Sequence, residues 1–408
     1  MGSWKRFREG FGFGLLLILL LSAGPAFWLK THQRTELFLV PNPKLPIPNA
    51  HDAYLKAASE LVHYNAIHLA GSSLSLYALL RYQRILQQNC APLALIDAGL
   101  HQTYFAPPVR SFNTALPYLY SFEQLGELLA LRSRILALQH NYQGAVNSAL
   151  DCVQLGVQIL AGAGIQGMLI GGQIQMIGEA ALQEEISHLN SLQANSALRR
   201  MLRIRFLCIP FYSVLQQQEW FQIAALQEFF NQNKPLNGMF VTYPPRFPSP
   251  LQGIADRFKL SAYGGASRII RRYKRYMDSQ IVQDSNNRDS IAPLPPIPSD
   301  PINQQLLGSL PQAEHDFLEN ADKLALITIA IALQEYHLKK GLYPLTLQSL
   351  VPIYLKQSIL ISSSNSGFQY RYLARDSYLL SSNTGFFLGV FDSPVSLQYS
   401  GLGTRRRY

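Results

Sequence analysis

From residue 51 to about residue 230, apolar side chains recur at three- and four-residue steps, the spacing that lines one face of an α-helix. The clearest runs predict helices over 52–70, 72–88 and 121–139, the last opened by Ser121-x-x-Gln124, a capping box in which each side chain satisfies a backbone donor of the other. Proline-rich breaks at 40–50, 234–252 and 285–311 interrupt the pattern, and the last is taken as the main domain boundary. Beyond it, 312–340 predicts one long helix. Its stretch 324–333 is apolar on nearly every face, so the helix should be largely buried. It should stop at Lys339-Lys340-Gly341 with Pro344 just after, because cations, glycine and proline in that order end helices. "FQYRYLARDSYLLSS" then changes to alternation and breaks at Ala374-Arg375-Asp376, the pattern of a β-hairpin.

A different pattern marks the N-terminus. Residues 11–29 carry no charge and include an unbroken apolar run from Leu15 to Leu21. As a helix this segment is about 28 Å long, close to the hydrocarbon thickness of a bilayer. Lys5, Arg6 and Arg8 precede it, and Trp4 and Trp28 lie near its ends, as interfacial aromatics do. The segment is expected to be an uncleaved anchor. Gly24-Pro25-Ala26 keeps a cleaved signal peptide open as the alternative. The short basic tail 1–10 then stays in the cytoplasm, and the bulk of the chain lies outside the inner (plasma) membrane. A second span at 324–333 is not expected, since that run is short and Asp322, Lys323 and Glu335 bracket it.

Two resemblances add to this. "LLALRSRILALQHNYQGAVNSAL" resembles a tetratricopeptide (TPR) helical hairpin, with Tyr142 and Ala145 at its aromatic and helix-crossing positions and Ala149 and Cys152 continuing the small stripe. No copy recurs at the repeat's period, so an irregular array is expected rather than a solenoid. Gly341-x-Tyr343-Pro344, Leu347-x-x-Leu350, Pro352-x-Tyr354-Leu355, Tyr370-x-Tyr372 and Tyr378-Leu379-Leu380 resemble the C-terminal half of type II secretion major pseudopilins. In plan the whole chain resembles a set of uncharacterised membrane-anchored bacterial envelope proteins that join an anchor, a helical array and such a module. Where pseudopilins have an Asp-Pro-aromatic-x-Gly element, this chain has "SSSNSG" (362–367). Where they have an acidic calcium-binding tail, residues 383–408 carry the single carboxylate Asp392, too few oxygens for that cation. Leu15 stands where a pilin has its glutamate. The resemblance therefore implies the fold of the module and not a place in a filament.

Composition narrows the function classes. Charged residues make up 15% of the 408, yet the net charge is +10. The excess is clustered at Arg199-Arg200-x-x-Arg203-x-Arg205, Arg271-Arg272-x-Lys274-Arg275 and Arg405-Arg406-Arg407. Outside the cytoplasm such clusters meet a protein, lipid head groups or an anionic wall polymer, and nucleic acid is not expected as a partner. Arg271, Arg272, Tyr273, Lys274, Arg275 and Tyr276, basic and aromatic side chains interleaved, are the candidates for binding a macromolecule. Cys90, Cys152 and Cys208 are widely spaced; one disulfide is possible, and buried thiols are the favoured reading.

Candidate chemistry is sparse. Gly162-x-Gly164-x-x-Gly167 has the form of a dinucleotide fingerprint, with Glu184 and Glu185 at the right distance, but helical pattern rather than a strand precedes it. Further glycines at 171, 172 and 178 point instead to a turn or to closely packed helices. Glu60-x-x-His63 and Glu185-x-x-His188 place a carboxylate and an imidazole on one helix face, as di-metal bundles do, with Glu123, Glu127 and Glu179 available to complete the set. Nucleophile-elbow, phosphate-loop and zinc-protease signatures are missing, and no catalytic residue or cofactor is assigned. The expected architecture is mainly α: an N-terminal transmembrane helix at 11–29, a spacer at 30–50, an irregular antiparallel helical array with a TPR-like hairpin at 51–284, a linker at 285–311, and a small C-terminal α+β module at 312–408, a long helix plus a short antiparallel sheet. The expected role is a non-catalytic scaffold or interaction protein, with a membrane-tethered di-metal enzyme as the alternative.

Overall fold

The stretch Tyr142–Leu160 is too apolar to have a solvent side over most of its length, and in the computed structural model it is a helix enclosed on nearly every face. The structure describes residues 38–62, 76–108, 116–231, 263–285, 295–363, 366–375, 377–382 and 387–390. The helices are α1 (Ala50–Ser59), α2 (Leu76–Gln88), α3 (Cys90–Leu100), α4 (Pro117–Leu138), α5 (Tyr142–Leu160), α6 (Gly164–Glu185), α7 (Ser191–Phe206), α8 (Phe211–Asn231), α9 (Gly265–Ser285), α10 (Pro301–Leu307) and α11 (Leu310–Lys340). Strands β1 (Gln369–Ala374), β2 (Ser377–Ser381) and β3 (Phe387–Val390) form one antiparallel sheet in that order. The expectation of a mainly helical chain with a short antiparallel sheet therefore holds. The anchor segment 11–29 lies outside the described residues, and among those described no helix is long and apolar enough to cross a membrane.

Two compact units divide the chain. One comprises Pro43–Pro107, Leu116–Gln217 and Pro311–Tyr408; the other comprises Met1–Asn42, Pro108–Ala115 and Gln218–Leu310. This differs from the linear order that the proline-rich breaks suggest. The segment from Pro311 onward belongs with the array, because Leu324–Leu333 of α11 and Tyr378 and Leu380 of β2 share a core with Val146, Ala149, Leu150, Val153 and Val157 of α5. The opposite side of α5, with Cys152, Leu155 and Ile159, enters a second core made with α1 to α4 and Ile174 of α6. Apolar residues all round one helix mean burial from both sides.

α4 and α5 form an antiparallel hairpin held by small side chains. The Ser133 hydroxyl donates to Ala145 O at 2.8 Å, the Ser148 hydroxyl to Leu129 O at 2.8 Å, and the Cys152 thiol to Gly126 O at 3.3 Å. Asn141 caps α5 by accepting from Gly144 N at 3.0 Å. The start of α4 departs from expectation: Pro117 occupies its first turn and Ser121 lies inside the helix. Proline has no N–H to leave unsatisfied there and its φ already fits, so it outcompetes the capping box a turn later. α1 also ends earlier than its periodicity suggests. Buried Asn89 accepts from Val62 N at 2.8 Å and donates to Val62 O at 3.3 Å, drawing the chain out of the helix after Glu60. Residues 63–75 of the predicted helices lie outside the described residues.

In the glycine-rich segment two helix backbones come into direct contact. α5 ends at Leu160, Ala163 and Gly164 reverse the chain with φ near +60° (59° and 60°), and α6 runs back antiparallel. A Cβ on Gly171 would lie 2.3 Å from Leu160 N and 2.6 Å from Gly156 O, and one on Gly156 would lie 2.4 Å from Gln175 N. The fingerprint-like glycines are thus a helix–turn–helix whose backbones touch, with no strand before them.

The C-terminal part follows the periodicity closely. α11 ends at Lys340, with Gly341 at φ 74° and its N–H on His337 O at 2.7 Å. β1 and β2 form the hairpin, with a bulge between Tyr372 and Ala374. Tyr343 joins the two parts: its ring stacks on His337 at 4.4 Å, meets Tyr378 edge-on at 4.7 Å, and its hydroxyl donates to Gln334 at 3.0 Å. Arg375 at the hairpin turn donates from Nε to Gly341 O at 2.8 Å.

Helix propensity and packing predict opposite signs for Gly171→Ala. Propensity alone would stabilise α6 by about 1 kcal/mol. The overlap with backbone on the facing helix, which cannot swing aside like a side chain, should dominate and cost about 2–4 kcal/mol. Urea unfolding checks this, with Gly367→Ala as the control: nothing lies within 4 Å of a Cβ added there, so a change under about 0.5 kcal/mol is expected.

Candidate functional site

Three helices of the same unit each turn one face toward a cleft of about 540 Å³. α3 contributes Asp97 and Leu100, followed by His101; α5 contributes Asp151 and Gln154; α7 contributes Arg200, Arg203 and Ile204, with Leu207 just after its end. Asp97 and Leu100, Asp151 and Gln154, and Arg200 with Arg203 or Ile204 are three or four apart, the steps that share a face. Leu100 and Ile204 are buried and Leu207 is exposed at the rim, so the floor is apolar and the walls are mainly polar.

The charge in the cleft is largely held in place. Asp151 is bracketed by two guanidiniums: Arg200 pairs with its Oδ1, and Arg132 Nη2 lies 2.6 Å from its Oδ2. Burial raises the Asp151 carboxyl above its usual range, and the two arginines oppose that rise. Arg132 also lies 3.2 Å from Asp97 and donates from Nε to Ser148 Oγ at 2.8 Å, while Arg200 donates to Asn147 O at 3.1 Å. Gln154 donates to Leu100 O at 2.7 Å, fixing α3 against α5. Arg203 differs from its neighbours. It is exposed and makes no ion pair among the described residues.

The residues singled out from sequence are distributed otherwise. On α9, Tyr273 and Tyr276 are buried with Ile269, Ile270 and Met277, so the interleaved tyrosines belong to the core of their own unit and are not presented with the cations. This corrects the expectation of a mixed aromatic and basic surface: at helical spacing the tyrosines fall on the apolar face, and the cations on the other. Lys274 pairs with Glu219 at 2.8 Å and Asp278 at 2.7 Å, and Arg272 lies 3.9 Å from the buried Asp300. Arg271 and Arg275 are exposed.

Of the metal candidates, Glu60 is the C-cap of α1 and lies 4.0 Å from Lys56, while His63 lies outside the described residues. Glu185 ends α6 with a buried side chain, and His188, in the following short turn, stacks on Tyr142 at 4.5 Å. Among the described residues no three His, Cys, Asp or Glu side chains gather as a metal shell would. Cys152 is buried as expected; Cys90 and Cys208 are exposed, and none of the three is in a disulfide. Cys90 opens α3 and Cys208 follows α7.

The sequence reading missed the cleft itself. Its one legible trace is the spacing of Arg200, Arg203 and Leu207, which a helical wheel places together. That Asp97, His101 and Asp151 face them is tertiary information. Comparison with known proteins assigns nothing further: no family model, no curated protein and no solved structure matches the chain.

Glu179 is a buried carboxyl pushed far from its usual range. It lies on α6 against α11, accepts from Gln175 at 2.9 Å, and burial pushes it up to about 8, with Lys323 and Arg205 opposing the rise. A carboxyl raised in the folded chain holds its proton more tightly there than in the unfolded chain. Its contribution to stability is therefore fully present below the unfolded value of 4.5 and is lost as pH climbs to about 8. Unfolding in urea at pH 5 and pH 8 should show this as a difference of a few kcal/mol. Glu179→Gln, which cannot ionise, should shrink that difference; an unchanged pH dependence would show that Glu179 does not cause it.

Proposed function

We propose that this chain is a single-pass protein of the bacterial cell envelope, held in the inner membrane by residues 11–29 with residues 30–408 outside the cytoplasm, and that it serves as a non-catalytic scaffold engaging a protein or an envelope polymer. The uncharged span, its basic flank and its terminal tryptophans support the anchor and its orientation. The α4–α5 hairpin, with Ala145 and Ala149 buried at the crossing, supports a TPR-like reading of the array. The Tyr343, Tyr370 and Tyr378 cluster between α11 and the hairpin supports a pseudopilin-like reading of the last part.

One observation carries the non-catalytic reading: the buried acids with resolved partners are engaged in holding the fold. Asp151 joins α4, α5 and α7 through its two arginines. Asp322 accepts from Ser363 N at 2.7 Å and Ser363 Oγ at 3.0 Å. Glu335 accepts from Asn195 at 2.6 Å and pairs with Lys339. Asp300 accepts from Asn303 N at 2.9 Å and from its amide at 2.8 Å. A general acid or base needs a free path to a proton on a substrate; Asp151, Asp322 and Asp300 have both carboxylate oxygens on protein donors, and Glu335, whose Oε2 has no hydrogen-bond partner among the described residues, is enclosed by the fold.

Reporter fusions and crosslinking test the proposal together. Alkaline phosphatase fused after Tyr408 should be active in intact cells and β-galactosidase fused there inactive, and in-cell crosslinking should return a discrete high-mass adduct. The reverse reporter pattern would remove the anchor and compartment; correct reporters with no adduct would remove the scaffold role.

A further inference from the structure

The cleft between α3, α5 and α7 has features that the folding of those helices does not require. Asp97 and Asp151 share Arg132, and Asp151 also pairs with Arg200, so the two acids of the cleft are already balanced by two guanidiniums. What is left over is positive. Arg203 stands on the same wall as Ile204 and Leu207, exposed and without an ion pair among the described residues, with His101 and Leu100 also lining the cleft. A guanidinium above an apolar floor offers two complementary interactions at once: charge-assisted hydrogen bonds for an oxyanion, and apolar surface for the body that carries it. The volume of about 540 Å³ falls within the range of small-molecule sites, roughly 300–1,000 Å³.

We propose that this cleft binds a small amphiphilic anion, an apolar chain or ring ending in a carboxylate or a phosphate ester, with its anionic end on Arg203 and its body on Leu100, Ile204 and Leu207. Arg200 is a positioning residue here: its pairing with Asp151 and Asn147 O sets the wall from which Arg203 projects. The site does not rest on the anchor or on the scaffold role, since all its residues lie in one compact unit.

Isothermal titration of the full chain, reconstituted in nanodiscs, with hexanoate, hexyl phosphate, hexanamide and hexylammonium tests it. Partition into the lipid is common to wild type and variants and cancels in the comparison. Binding is expected for hexanoate, hexyl phosphate or both, the stronger naming the head group, and not for the neutral or cationic analogues. Arg203→Gln should weaken it about tenfold, the loss of one charge-assisted hydrogen bond. Arg203→Lys should recover part of the loss, and Arg199→Gln, exposed on the same helix but outside the cleft, should bind as wild type. Absence of binding by either anion at millimolar concentration, equal binding of hexanamide, or an Arg203→Gln chain that binds like wild type would each overturn the proposal. Because Arg203 makes no ion pair among the described residues, that variant should fold, and its thermal unfolding in the same preparation confirms that the comparison is valid.

Discussion

The approach of α5 to α6 is the constraint on which the larger unit depends. Gly156, Gly171 and Gly178 lie where the two backbones meet, and a side-chain carbon at any of them would fall within 2.6 Å of a backbone nitrogen on the facing helix. Glycine inside a helix costs about 1 kcal/mol relative to alanine, so several in one contact persist only if the contact returns more. What it returns is visible on the other faces of α5. With α6 drawn in closely, α5 can bury one side against α7, α11 and the sheet and the other against α1 to α4. A helix enclosed from both sides couples two cores that would otherwise be independent.

Charge follows from that enclosure. α5 carries Asp151, and a carboxylate on a helix with little solvent must be met by donors from its neighbours. Arg132 from α4 and Arg200 from α7 do so and fasten three helices at a point. The cleft is the open side of this junction, so its geometry is inherited from the packing of α5. α11 obeys the same logic. Asp322, Lys323 and Glu335, which argue in the sequence against a membrane span, are themselves buried, and each has a partner: Ser363 for Asp322, Glu319 for Lys323, Asn195 and Lys339 for Glu335.

Much of this was legible in the sequence where local physics decides. The limits of α11, the break of the β-hairpin at residues 374–376, the helical hairpin around Tyr142 and the glycines as a close crossing rather than a nucleotide loop all follow from periodicity, turn chemistry and context. Features set by distant partners were not. α4 begins at Pro117 because proline fits the first turn, and α1 ends early because Asn89, nearly thirty residues on, holds Val62. Tyr273 and Tyr276 looked like surface aromatics beside arginines and are core residues, since adjacency in sequence is not adjacency on a helix. The cleft was least legible, because its walls come from positions near 100, 150 and 200 that nothing local connects.

Native-state hydrogen exchange reads the stability of the α5–α6 contact residue by residue. If the α5–α6 contact holds both cores together, the interior amides of these two helices should be the slowest in the chain and should exchange together, through an opening with the free energy of global unfolding. Interior amides of α5 that exchange well before those of α6, or as readily as those of the short peripheral α1, would contradict the account.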